Sequence, residues 1–385
     1  LLTARGASWL FLIGRLRAGV TMQAARDQLD PTLAKMLADN GLPPQPLVAL
    51  PGARGTDTLS ARLEAPRAAS LLPRADALYD SSAVGHARRW HLDLPDARHT
   101  PAYLAQVRER TLALLRQSRD NDDALYFFRL ALMHESMHDE AGAMIAQSLA
   151  LDIGAALAST SPAPGTVDRE LAVPASTWHV GSAREGFAFD NELGAHEVEL
   201  PAFTIDRGPV TWAALIEFID AGGYDDPGAW SAEGWAWRRR ELPGGLPRFL
   251  ARSDDGAWRR AVFGRWVDLD PRTPAVNLSQ HEAQAWCRWA GRRLPSEHEW
   301  GAALAHGGAG FAWGQVWEWT ASPFAPWPGF VAHPYRDYSQ PWFDGRPVLK
   351  GGSFASAPRI KHPAYRNFFE AGRNDVFAGF RSCMR

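Results

Sequence analysis

The sequence predicts an α+β protein in which a helical bundle is followed by a loop-rich mixed domain. Over 101–117 and again over 122–151, apolar residues recur every three or four positions without internal proline, the pattern of two amphipathic helices. Thr100 and Asn121 stand where N-caps belong. The text 158–174, ASTSPAPGTVDRELAVP, loses that period and gains Ser, Pro and Gly, as a linker does. Beyond it, short apolar and aromatic stretches alternate with Gly, Pro and Asp turns, and only 212–221 and 279–290 read as helical. The expected organisation is a segment 1–66, a helical domain 67–160, a linker 161–174 and a mixed domain 175–385.

Composition narrows the function classes. Lys plus Arg number 41 against 43 acidic residues, so a net charge of -2 offers no general attraction to nucleic acid or anionic lipid. A small-molecule substrate is the better expectation, with no nucleic acid and no membrane among the partners. Cys287 and Cys383 are too few for a disulfide framework, which fits a reducing, cytoplasmic setting. No run reaches the roughly 18 apolar residues of a membrane span, and the apolar run 9–13 is too short for a signal-peptide core. The chain starts at Leu1 rather than methionine, which allows for upstream sequence. Seventeen tryptophans, nearly all from Trp178 onward, exceed what a core needs, so some are expected to line pockets or stiffen loops.

The first chemistry-bearing motif is LALMHESMHDEAG, which contains H-E-x-x-H. His134 and His138, four residues apart, share one helix face and can reach one metal ion. A zinc protease would use Glu135 to activate water and would need a third ligand, but no histidine follows in HDEAGAMIAQS. A plain structural role for the histidines fits less well. The flanks are apolar, so at least one ring is expected inside the bundle, where an imidazole requires a partner.

Two sets of residues carry a family resemblance. ASLLPRADALYDSSAVGHARRW and YFFRLALMHESMHDEA resemble the DinB-like helical domain of ergothioneine-pathway sulfoxide synthases. FAFDNELGAHEVELPAFTIDRGPVT, WCRWAGRRLPSEHEW, VWEWTASPF and VLKGGSF resemble the C-type-lectin-like FGE-sulfatase (formylglycine-generating-enzyme) fold. The resemblance covers about 66–385. The first 66 residues, with WLFLIGRLRAGVTMQAARDQLDPTLAKML, faintly resemble the periplasmic domain of MacB-type permeases, or are a divergent helical N-terminus. No cysteine pair follows GGSF, so formylglycine chemistry is not expected. The text from GFVAHPYRDYSQPWF to the end is most similar to the selenoneine synthases, the selenium-handling branch of the family.

The resemblance implies a non-haem Fe(II) site of three histidines, and His134 and His138 match two of them. The third lies in the family on an earlier helix, in text like PPLWELGH, which this chain lacks; His86, His91 and His99 are the nearest substitutes. By the same resemblance Tyr335 is the catalytic residue that supplies a proton or hydrogen atom. Tyr338, Asn367, Phe368, Phe369 and Arg373 match substrate-binding positions, with Phe368 at the trimethylammonium of hercynine, and Arg89 in HARRW is a candidate for a substrate carboxylate. Aromatic faces attract such a cation, contributing roughly 0.5–2 kcal/mol each.

One departure bears on the second substrate. Relatives that use an amino-acid thiol read R-N-W-D, whereas this chain reads RNFFEAGR, placing Phe369 where the aspartate stands and retaining Arg373. A donor without an α-ammonium, such as a selenosugar, fits that loss; Glu370 next door keeps a thiol donor open. Arg293, Glu297, Glu299, Trp300, Trp317 and Trp319 are expected to lock loops through buried hydrogen bonds and to mark the fold rather than the substrate. The resulting expectation is O2-dependent C–Se bond formation between hercynine and a selenosugar. The alternatives are the sulfur analogue with a thiol and a scaffold homologue that lacks the third iron ligand.

Overall fold

The computed structural model describes residues 70–79, 84, 91–94, 98–152, 170–182, 186–332 and 338–385. The segment 1–66 lies outside them, as do residues 161–169 of the expected linker; residues 170–173, also expected as linker, form a strand, and the limit at 160 stays a proposal. Two compact units divide the chain, Leu1–Ile145 and Ala146–Arg385.

In the first unit, α1 (Ala75–Tyr79) precedes α2 (Thr100–Gln117) and α3 (Asp122–Ser148), the last of which runs into the second unit. Both long helices were legible from their period. Thr100 is itself helical and the cap position falls to His99, which makes no side-chain cap bond. Asn121 caps α3 as expected, its Oδ1 accepting from Ala124 N at 2.9 Å. That helix stops at Ser148 rather than 151, because Ala150 takes a left-handed conformation at φ 54°.

The second unit holds short strands and short helices. One sheet has the order β1-β4-β13-β8, formed by Glu170–Val173, Phe203–Asp206, Cys383–Met384 and Arg292–Arg293. Its apolar face, with Leu171, Val173, Phe203 and Ile205, packs on Trp300 and Ala303 of α7 (Glu297–Gly307). A second sheet has the order β11-β10-β9-β12, formed by Asn367–Phe368, Pro347–Lys350, Trp317–Pro323 and Ala378–Gly379. Two hairpin arrays complete the strands, β2 (Ser176–Val180) with β3 (His196–Leu200), and β5–β6–β7 over Leu250–Arg252, Trp258–Val262 and Arg265–Asp268.

The expected helices are present as α4 (Trp212–Asp220) and α6 (Gln280–Trp289), the latter opened by a capping box of Ser279 and Glu282. Two more, α5 (Ala232–Glu241) and α7, correct the sequence reading. The text WAWRRRE has no apolar stripe, yet Ser231 caps it through Gly234 N. The text PSEHEW, expected in a loop, is a helix start at which Ser296 and Glu299 form a second capping box.

Gly379 illustrates how tightly β12 is packed. A Cβ there would lie 2.2 Å from the Ala275 carbonyl oxygen, a backbone atom that cannot yield. Gly379→Ala is expected to destabilise the protein by about 1–3 kcal/mol through overpacking. Chemical denaturation checks this, and an unchanged midpoint would contradict it.

Candidate active site

The sequence-derived residues fall in both units. In the first unit, His134 and His138 lie one turn apart on α3. His138 is buried and His134 half-buried, while Glu135 is exposed. The ring centroids are 4.5 Å apart with the planes at 89°. A metal bound ~2.1 Å from an imidazole nitrogen lies ~3.2 Å from that ring's centre, so two rings sharing one ion have centres no more than ~6.4 Å apart. The separation of the pair lies within that reach. Among the described residues no group of three His, Cys, Asp or Glu is placed to hold a metal. His91 and His99 are exposed, and His86 lies outside the described residues. Arg89 and Tyr335 also lie outside them.

In the second unit, the segment from β11 onward carries the expected substrate residues. Phe368 stacks on Phe324 at 4.0 Å between centroids, and Phe324 in turn meets Phe343 at 4.8 Å. Beneath this aromatic run, the buried Arg366 guanidinium lies 4.2 Å from the Trp327 ring centre and grips both oxygens of Glu297 at 2.8 and 3.0 Å. The base of the segment is thus fixed by a planar, charge-assisted pair. Asn367 turns its Oδ1 to its own chain, accepting from Phe368 N at 2.9 Å.

Phe369 is buried, and the Arg373 guanidinium lies 5.2 Å from its ring centre. Arg373 is also paired: it donates to both Asp375 oxygens at 2.5 and 2.9 Å. Burial would raise the Asp375 carboxyl, but the Arg373 charge and hydrogen bond, with help from Arg248, hold it below its usual range. The chain thus supplies the partner of Arg373 from its own sequence, two residues away.

Tyr338 is half-buried and stacks on Phe189 at 4.5 Å and 17°. Its hydroxyl lies 3.5 Å from that of Tyr365. Burial, with Tyr365, Glu192 and Asp190 nearby, pushes its pKa well above 10, so it remains a neutral phenol. The next residue, Ser339, is buried; its Oγ donates to Asp190 Oδ1 at 2.5 Å and accepts from Asn191 Nδ2 at 3.0 Å. The FDNE turn thereby pins the segment that carries Tyr338. Sequence reasoning quoted that motif without giving it this role, and the partners stand about 150 positions apart, beyond any local pattern.

This mixed unit, with its FDNE turn, GGSF turn and buried Arg–Glu pairs, is of one recognised class: the sulfatase-modifying factor enzyme 1-like domain family matches residues 155–315 and 308–385. Across both units, the chain belongs to the hercynine oxygenase family. It is 36% identical over 370 residues to the hercynine oxygenase of Mycolicibacterium smegmatis, covering 82% of this chain and 84% of that protein. The hercynine oxygenase of Mycobacterium tuberculosis is 35% identical over 364 residues, covering 81% and 83%. The formylglycine-generating enzyme of Mycobacterium tuberculosis is similar over a shorter span, 35% identical over 167 residues and 37% of this chain. The solved structure of PvdO from Pseudomonas aeruginosa covers 58% of this chain at 18% identity with a TM-score of 0.36, too loose a likeness to carry an inference. No helix among the described residues is long and apolar enough to cross a membrane.

Proposed function

We propose that this protein is an O2-dependent enzyme that forms a carbon–chalcogen bond at the imidazole of hercynine, with Fe(II) held by His134 and His138. Similarity to hercynine oxygenases over four-fifths of the chain supports the reaction class. The two imidazoles one turn apart on a single helix support the metal, since imidazole suits iron as it suits other borderline ions. Fe(II), when bound, supplies O2 activation. The protein contributes the rest: Tyr335 delivers a proton or hydrogen atom, Tyr338 stays a neutral phenol beside it in sequence, and Phe368, Asn367 and Arg89 hold and orient hercynine. A third iron donor belongs to this reading; the scaffold reading rests on the lack of a segment like PPLWELGH in the sequence.

We further propose that the chalcogen donor is a selenosugar rather than an amino-acid thiol. Two features support this. Phe369 is buried where thiol-using relatives carry an aspartate, and the Arg373 charge is matched by Asp375. A donor bearing its own ammonium and carboxylate finds neither a carboxylate at 369 nor an uncompensated guanidinium at 373. In competition with hercynine and O2 present, the selenosugar should be consumed in preference to γ-glutamylcysteine by at least roughly tenfold, the scale of one missing charged hydrogen bond. Phe369→Asp should move the preference toward the thiol. A wild-type preference for γ-glutamylcysteine would overturn the selenium assignment and leave the sulfur analogue standing.

A further inference from the structure

The second unit contains a recess of about 450 Å³ that none of the residues discussed for hercynine lines. Its apolar walls are Trp178, Phe187 and Trp327, and Lys350 lines it from β10. The size lies within the range of small-molecule sites. Glu297 lines it too, its carboxylate paired with Arg366. Apolar walls with a few charged groups are the usual make-up of such sites.

Lys350 shows which charge the recess would accept. It is 4% exposed, and of the three donors on its ammonium one has an identified acceptor among the described residues, the Tyr365 carbonyl at 2.7 Å. Two carboxylates, Glu297 and Glu192, act on that charge, and neither has an identified hydrogen bond to it among the described residues. Glu297 gives both oxygens to Arg366, and Glu192 accepts from Ser182 Oγ at 3.4 Å. Burial, opposed by Glu297 and assisted by Arg366, lowers the Lys350 pKa to about 8, while burial raises Glu192 to about 7. Three imidazoles line the recess: His298 and His362 are pushed down by burial, so they are neutral at pH 7, and His179 is exposed beside Glu197. A buried ammonium with donors to spare, in a recess with flat apolar walls, is complementary to an anion with a flat apolar body.

We propose that this recess is a binding site for a small planar carboxylate, its charge on Lys350 and its ring against Trp178, Phe187 and Trp327. The site lies wholly in the second unit and does not depend on iron or on the hercynine reading. Titration of the full chain with 4-fluorobenzoate, followed by ¹⁹F NMR at pH 7, should give saturable binding. Fluorobenzene, the same ring without the charge, should bind at least roughly tenfold more weakly, as should 4-fluorobenzoate to Lys350→Met. Raising the pH from 7 to 10 removes the ammonium charge and should weaken binding. Ala305, exposed at the rim, gives a variant that leaves the buried cluster intact: Ala305→Trp should block the site even if Lys350→Met fails to fold. The proposal is overturned if wild type shows no saturable binding, if fluorobenzene binds as tightly, if folded Lys350→Met binds normally, or if Ala305→Trp leaves binding unchanged.

Discussion

Replacing His134 by alanine is expected to abolish one-to-one Fe(II) binding and to lower hercynine turnover by at least about a thousandfold, the several kcal/mol that a bound metal contributes. The argument is geometric. Two imidazoles one turn apart on α3, with centres 4.5 Å apart, are within reach of one ion, and removing one ring leaves a single donor of the pair. His134 is the better test than His138, because it is half-buried and its loss opens little of the interior. His138→Ala should lose iron equally but also some stability, since that ring is buried. Anaerobic titration with Fe(II), with circular dichroism to confirm the fold, separates the two effects. Retention of stoichiometric iron by His134→Ala would remove the pair from the metal site.

The second large effect is on stability. Arg381 and Glu318 are both fully buried, joined by two hydrogen bonds, Nε to Oε2 and Nη2 to Oε1, the latter at 2.7 Å. Arg381 also donates to the carbonyls of Asp206 and Ala312, and its guanidinium stacks 3.7 Å from the Phe311 ring centre. Glu318 takes a further bond from Trp300 Nε1 at 2.9 Å. The pair links β9 to the first sheet and α7 at once. Arg381→Met removes one charge and leaves the other in the core with a single tryptophan donor, a change that costs about 3–5 kcal/mol. Glu318→Gln should cost less, because the amide keeps an acceptor and carries no charge, but it leaves the guanidinium unmatched. Equilibrium denaturation of both variants tests this, and a loss under about 1 kcal/mol for Arg381→Met would mean that the buried pair contributes little beyond its volume.

Much of the helical half was readable because its signal is local. A single apolar period over 122–151 located α3, and H-E-x-x-H on that helix located the imidazole pair before any geometry. Helices α5 and α7 escaped because their evidence is of a different kind. The Trp- and Arg-rich text of α5 shows no stripe, and α7 announces itself through Ser296 and Glu299, a capping box hidden in what looked like a loop motif. The candidate site divides the same way. Phe368, Phe369 and Arg373 were named as candidates by resemblance, residue by residue. The pairing of Arg373 with Asp375 was not, because a contact two residues apart in an irregular segment follows no period. The clamp of Asp190 and Asn191 on Ser339 and the Lys350 recess depend on chain segments brought together from far apart, and only three-dimensional structure reports such contacts.

The central claim, that the chain forms a carbon–chalcogen bond at the hercynine imidazole, is tested most directly by the proton it must replace. Iron-loaded protein, hercynine, O2 and a selenosugar are mixed, and the imidazole C2–H resonance of hercynine is followed by ¹H NMR. This resonance is expected to disappear with consumption of O2 and appearance of a C2-substituted product, and to persist with His134→Ala. Persistence of the C2–H signal in the presence of the iron-loaded protein, with either a selenosugar or a thiol as donor, would contradict it.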